Sequence, residues 1–196
     1  GQDPVDLSAA PLAVTEATVI ATNYYTDMFD VPPNQSRFWV ADANGAIELF
    51  LDFNEEGATP DFQIRTGHKI SFNVTEVGRY FDRGQITKAT DFALVETDAE
   101  VYVDDTGGPF AYEQIHQLVR VTGLLRNEST CGGENRCWDL MAPGPAGTDG
   151  ARLGIYRSRS QFAATGACVT YVGPLGWFQN DAQFDVVNFT WSRVYD

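Results

Sequence analysis

The 196-residue sequence predicts an all-β chain folded as two small domains. Three observations predict it. Runs rich in Val, Ile, Thr, Phe, Trp and Tyr alternate with polar residues and are punctuated by Gly, Pro, Asn and Asp, the pattern of half-buried strands between turns. Almost no segment reads as helix. The third observation is an internal echo, in which Thr66-Gly67-His68-Lys69-Ile70-Ser71-Phe72 returns as Thr165-Gly166-Ala167-Cys168-Val169-Thr170-Tyr171. With one residue deleted it continues from Gly78-Arg79-Tyr80 to Gly176-Trp177-Phe178 and from Gln85-Ile86 to Gln183-Phe184. That spacing is too long for a solenoid repeat and suits a duplicated small domain.

Residues 1–13, polar and proline-containing, are expected as a flexible leader. Thr15 to Tyr25 reads as the first strand. After a loop with Pro32 and Pro33, the runs Arg37 to Asp42 and Ala46 to Asp52 flank Asp42-Ala43-Asn44-Gly45. Asn-Gly between such runs signals a hairpin whose central residues tolerate positive φ. The same segment fails as a calcium loop, because its glycine is misplaced and the distal Glu is missing. Phe53 to Arg65 is a broken connector. Lys69 to Val77 is the fourth strand, and a turn at Asp82-Arg83-Gly84 leads to a fifth from Gln85 to Phe92, with an extended piece from Ala93 to Val103.

Asp104-Asp105-Thr106-Gly107-Gly108-Pro109 is the best linker. The expected divisions are therefore a first domain at 14–104, a linker at 105–110 and a second domain at 111–196. Beyond a helical turn at Tyr112 to His116, strands are expected at Leu118 to Leu125, Arg136 to Met141, Ala151 to Tyr156, Cys168 to Val172 with an extension through Trp177, and Gln183 to Val194.

Each half reads strand, long loop, hairpin pair, short connector, Gly-led strand, turn, final strand. Five strands with a connector between the third and fourth is the plan of the OB-fold, so two five-stranded OB-like Greek-key barrels in tandem are expected, with a pair of immunoglobulin-like β-sandwiches as the alternative. The strands Phe38-Trp39-Val40-Ala41-Asp42, Ile47-Glu48-Leu49-Phe50 and Thr66 to Phe72 resemble those of tandem OB-fold-like domains of bacterial secreted and surface proteins. The resemblance covers most of the first half, and in the second Val119 to Leu124 and Thr165 onward. It brings no catalytic residues with it.

A net charge of -14 and a pI near 4.3 repel polyanions at long range. The nearest basic cluster, Arg152, Arg157 and Arg159, reads as solvated surface. Two lysines against eleven arginines, with excess Asp, suit saline surroundings or reflect codon bias. No run approaches a membrane span. The leader fits a mature secreted protein or a lipoprotein anchored through a trimmed upstream cysteine, so the expected location is secreted, periplasmic or cell-surface.

Cys131 and Cys137 bracket a turn-rich loop that a disulfide would close, which implies an oxidising compartment; Cys168 is left over as a small half-buried residue. A zinc site lacks a second ligand pair. Sequons begin at Asn34, Asn73, Asn127 and Asn188, two of them in expected strands, and are read as coincidence.

OB-folds bind ligands on the face of strands two and three and at adjoining loops. Phe38 and Trp39 must point to opposite faces, one of them into the core. Trp39, Phe50, Trp138 and Tyr156 are the expected ligand-contacting rings, joined by Tyr80, Phe81, Trp177 and Phe178 at the tips of corresponding hairpins. Many such rings simply fill a core. The chain lacks a nucleophile, metal or phosphate-cradling motif, His68 and His116 stand alone, and Asp104 with Asp105 or Glu55 with Glu56 read as solvated pairs. The expectation is a non-catalytic module, without cofactor or metal, for a protein or carbohydrate ligand, with nucleic acid disfavoured by charge. The alternatives are an accessory protein for single-stranded nucleic acid and a hydrolase with a carboxylate site.

Overall fold

The computed structural model describes residues 3–23, 35–52, 59–80, 83–105, 110–130, 136–141, 151–155, 164–178, 181–184 and 192–193. Backbone contacts divide the chain into Gly1–Tyr102 and Val103–Asp196. The chain is all-β, and each unit carries the strand order of an OB-fold.

The first unit contains β1 (Val5–Asp6), β2 (Leu12–Asn23), β3 (Gln35–Asp42), β4 (Gly45–Asp52), β5 (Lys69–Tyr80) and β6 (Arg83–Glu96). Their order is β1-β5-β2-β3-β4-β6, and β5 also pairs with β6, so the ladder returns to its start. All pairs are antiparallel except β4 with β6. Alternation along the strands turns Val19, Phe38, Val40, Leu49, Leu51, Ile70, Phe72, Val74 and Ile86 into one core, with Ile64 from the connector. A sheet that closes must bend, and bulges supply the bend. Register shifts between Val14 and Ala17 of β2, where Glu16 has φ 56°. Another shift in β6 accompanies Asp91, at φ 57°, whose carboxylate accepts from Asn73 Nδ2 at 2.8 Å and Thr90 Oγ1 at 3.0 Å. The sequon asparagine Asn73 is thus tied to the bulge.

The second unit has a 3₁₀ turn at Tyr112–Gln114, then β7 (Leu118–Thr130), β8 (Arg136–Met141), β9 (Ala151–Ile155), β10 (Cys168–Phe178), β11 (Asp181–Phe184) and β12 (Ser192–Arg193). Their order is β11-β9-β8-β7-β10-β12, β10 also pairs with β11, and β9 with β11 is the parallel pair. Val119, Val121, Leu125, Trp138, Leu140, Val169, Tyr171 and Leu175 form its core. Tyr171 lies beside Gly173 and donates to the Pro174 carbonyl at 3.0 Å. A Cβ at Gly173 would stand 2.2 Å from the Tyr171 Oη.

The echoed residues hold corresponding ladder positions: Gly78 pairs with Gln85 and Gly176 with Gln183. Likewise Leu49 joins Phe38 to Ile86, and Leu153 joins Trp138 to Phe184. A ladder that runs continuously around each unit, with one parallel pair, does not fit the immunoglobulin-like alternative.

Several local expectations differ from the structure. The leader is not merely flexible, because Val5 pairs with Val77 and Asp6 with Glu76, while Leu7 N donates to Thr75 O at 2.7 Å. In the β3–β4 hairpin the loop residues are Ala43 and Asn44, since Asp42 pairs with Gly45. Only Gly45 takes positive φ, at 150°. The Asp42 carboxylate accepts from Asn44 N at 2.7 Å and Gly45 N at 3.2 Å, closing the turn through its side chain. At the expected linker, Asp104 is bridged to Val119 and Asp105 pairs with Arg120 at 3.0 Å, tying both to β7; residues 106–109 lie outside the described residues. Within the span expected as a single closing strand from Gln183 to Val194, β11 pairs with Leu175–Phe178 and β12 with Val169 and Thr170, both on the edge of β10 away from β7.

Candidate functional site

In the first unit, strand alternation that sends Phe38, Val40, Leu49, Leu51 and Ile86 inward sends Arg37, Trp39, Glu48, Phe50, Arg83 and Gln85 outward. These outward residues come from three adjacent strands, β3, β4 and β6. Trp39 is opposite Glu48, Arg37 opposite Phe50, and Glu48 opposite Gln85. At the end of the β5–β6 ladder, Tyr80 is opposite Arg83.

Their side chains form a linked cluster. Arg37 Nε donates to Glu48 Oε1, and its guanidinium carbon lies over the Trp39 ring, 4.7 Å from the centroid. Arg83 Nη1 is 3.8 Å from Glu48 Oε2, and its guanidinium carbon is 5.5 Å from the Tyr80 centroid. Planar guanidinium groups can pair with a carboxylate while stacking on rings, which is why arginine suits both positions better than lysine would. Trp39, Glu48 and Arg83 are buried, at 0%, 2% and 5% exposure, despite facing outward from the barrel core. Trp39 Nε1 and Glu48 Oε2 have no hydrogen-bond partner. Phe50 and Tyr80 flank the cluster and remain exposed, at 38% and 51%.

Phe38 and Trp39 do point to opposite faces, but the outward tryptophan is buried beside Arg37 rather than offered to solvent. Trp138 does not correspond to it: Trp138 sits in the core opposite Leu153, at the place Phe38 holds in the first unit. Trp177, expected at a hairpin tip, packs edge-on against Tyr112 of its own unit, with centroids 5.7 Å apart. Phe178 pairs with Asp181 at the strand end. Phe81, Tyr156 and Cys131 lie outside the described residues, and with Cys131 so does the expected disulfide to Cys137. Cys168 is a free, half-buried thiol.

Arg37, Glu48 and Arg83 were not among the expected site residues. Their signal was the period-2 pattern, which places all three on one outer face; alone, each reads as an ordinary solvated charge. Asp104 accepts from Gln114 Nε2 at 3.0 Å, and Asp105 serves Arg120, so this carboxylate pair is structurally engaged. Glu55 and Glu56 lie outside the described residues. Among the described residues no three His, Cys, Asp or Glu side chains group as a metal site, and no helix is long and apolar enough to cross a membrane.

The corresponding outer positions of the second unit carry different chemistry. Asp139 takes the place of Trp39 and is opposite Arg152, which takes the place of Glu48. Gly154 stands where Phe50 does, and Asp181 where Arg83 does. Asp139 accepts from Asn127 Nδ2 at 2.9 Å, and Asn127, the third sequon asparagine, sits at a β7 bulge with φ 49°.

No protein-family model matches the chain, and no curated protein does. Among solved structures it is similar to the tetrameric p202 HIN2, at 10% identity and TM-score 0.44 over 100% of this chain and 97% of that one. It is similar to a murine DNA-binding protein bound with double-stranded DNA, at 11% identity and TM-score 0.43 over 95% and 97% of the two chains. A replication protein A heterotrimer bound to single-stranded DNA matches at 12% identity and TM-score 0.32, over 84% of this chain and 44% of that one. Likenesses this loose carry neither the fold, which rests on the strand order above, nor a ligand. The expectation of a protein or carbohydrate ligand, with nucleic acid set aside, finds no support among the similar structures, three of which are bound to DNA.

Proposed function

We propose that the chain is a tandem of two five-stranded OB barrels and that the outer face of the first binds single-stranded nucleic acid without catalysis. The observation that carries this reading is the pairing of exposed rings with arginines on one strand face: Phe50 and Tyr80 flank Arg37 and Arg83. Strand rise and spacing put the two rings roughly 15 Å apart, room for bases to stack at both ends of a short single strand. Rings stack with any base, and arginines donate to phosphate oxygens or stack themselves, so such a face favours binding with little sequence preference.

Net charge sets long-range approach, but beyond about 10 Å charges are largely screened at 0.1 M salt. Contact affinity therefore depends on the local face, where Arg37 and Arg83 lie beside the exposed rings. The second unit's corresponding face has Asp139 in place of Trp39 and Gly154 in place of Phe50, which removes two rings, and Arg152 in place of Glu48. Binding is accordingly assigned to the first unit. Amide hydrogen exchange of the full chain with an oligothymidylate tests it: slowed exchange is expected at β3, β4 and the β5–β6 end, while protection confined to the second unit, or none, would contradict it.

A further inference from the structure

We propose that Glu48 is an internal competitor for the nucleic-acid backbone, holding the two arginines that a phosphodiester would otherwise engage. The inference rests on the nucleic-acid reading of the same face. Its basis is the placement of a carboxylate at the centre of that face, between Trp39 and Gln85 in the ladder. One oxygen takes Arg37, and the other lies 3.8 Å from Arg83, near enough for an ion pair but without a hydrogen bond. Carboxylate and phosphate both offer paired anionic oxygens to a guanidinium fork, so Glu48 already provides what a bound phosphate would provide. Full burial strengthens the hold, since at 2% exposure water screens it little.

A phosphate that takes either arginine competes with the Glu48 charge for it. The carboxylate thereby lowers the face's affinity and makes its engagement with a strand an exchange of one anion for another. Single strands that present bases first, to Phe50 and Tyr80, meet no such competition, so Glu48 weights the face toward stacking over backbone contacts.

The test compares the full-length chain with Glu48→Gln, isosteric but uncharged, binding a fluorescein-labelled oligothymidylate across a salt series. The expected result is about tenfold tighter binding at low salt, with a salt slope steeper by about 0.7 for each arginine newly given to phosphate. Unchanged or weaker binding with an unchanged melting curve would overturn the proposal. If Glu48→Gln fails to fold, the double variant Arg37→Gln/Glu48→Gln, which removes both charges of the pair, is compared with Arg37→Gln. Tighter binding by the double variant supports competition, and equal or weaker binding overturns it.

The two readings fail separately. Wild-type binding that Tyr80→Ala abolishes but Glu48→Gln leaves unaltered sinks only the competition. A silent wild type with a binding Glu48→Gln variant supports it, and silence of both ends both readings.

Discussion

Trp39 and Asp139 occupy corresponding positions in the two sheets, each on the outer side of a second strand and each opposite the central charged residue of the third. Trp39 faces Glu48 in its ladder, whereas Asp139 faces Arg152. The same backbone scheme thus presents an arginine-and-ring face in one unit and an aspartate-bearing face in the other. Fold alone does not assign a ligand; the side chains on the outer face do.

Replacing the exposed rings tests that assignment residue by residue. Phe50→Ala and Tyr80→Ala are each expected to cost about 1–3 kcal/mol of single-strand affinity, the usual worth of a base stacked on a ring. Asp139→Ala is expected to leave affinity within twofold. Fluorescence anisotropy with one oligonucleotide reads all three, and loss on Asp139→Ala with none on Tyr80→Ala would move the site to the second unit.

Glu48→Ala is expected to destabilise the first unit by about 3–5 kcal/mol, because it removes the buried carboxylate that accepts from Arg37 and lies 3.8 Å from the buried Arg83. Glu48→Gln keeps a hydrogen-bond acceptor and should cost less. Urea unfolding followed at first-unit amides distinguishes them, and a Glu48→Ala midpoint equal to wild type would show that the arginines do not depend on Glu48.

Gly173→Ala should lower second-unit stability by about 1–3 kcal/mol, through displacement of the Tyr171 ring from its place over the glycine. The matching change Gly84→Ala meets open space and should be mild. Comparable losses at both positions, measured by thermal melting, would contradict the packing described.

The hairpin at Asp42 carries a pH signature. Hydrogen bonds from the Asn44 backbone and side chain, with a smaller contribution from Gly45, hold the Asp42 carboxyl below the ordinary aspartate value. A lowered folded pKa stabilises the native state above the unfolded value, and that stability is lost as pH falls through the folded value. The group is solvent-exposed, so the effect should be well under 1 kcal/mol. Carboxyl carbon shifts followed by NMR should place the Asp42 midpoint below that of an aspartate in an unfolded peptide; a midpoint at or above it would mean the turn is not closed by its side chain.

How much of this the sequence reveals follows from what each signal measures. The echo aligned Gly78 with Gly176 and Gln85 with Gln183, and these residues do hold matching ladder positions, because glycine-led strands and period-2 alternation are local properties. The tryptophans were harder. Trp39 and Trp138 look alike in sequence, yet one faces outward and the other fills the core. Alternation says that neighbours oppose each other but does not say which one faces in, and the bulges at Glu16, Asp91 and Asn127 reset the count along the strands. The Arg37–Glu48–Arg83 cluster was illegible for a related reason: its members are separated in sequence and join only when β3, β4 and β6 lie side by side. Net charge misled in turn, since a chain-wide sum conceals a local face.

The most direct measurement is a titration of the full chain with a labelled oligothymidylate at about 50 mM and about 200 mM salt, repeated with Tyr80→Ala. The account predicts binding that weakens as salt rises and weakens further when the Tyr80 ring is removed. No binding at either salt, or binding indifferent to Tyr80→Ala, would contradict it.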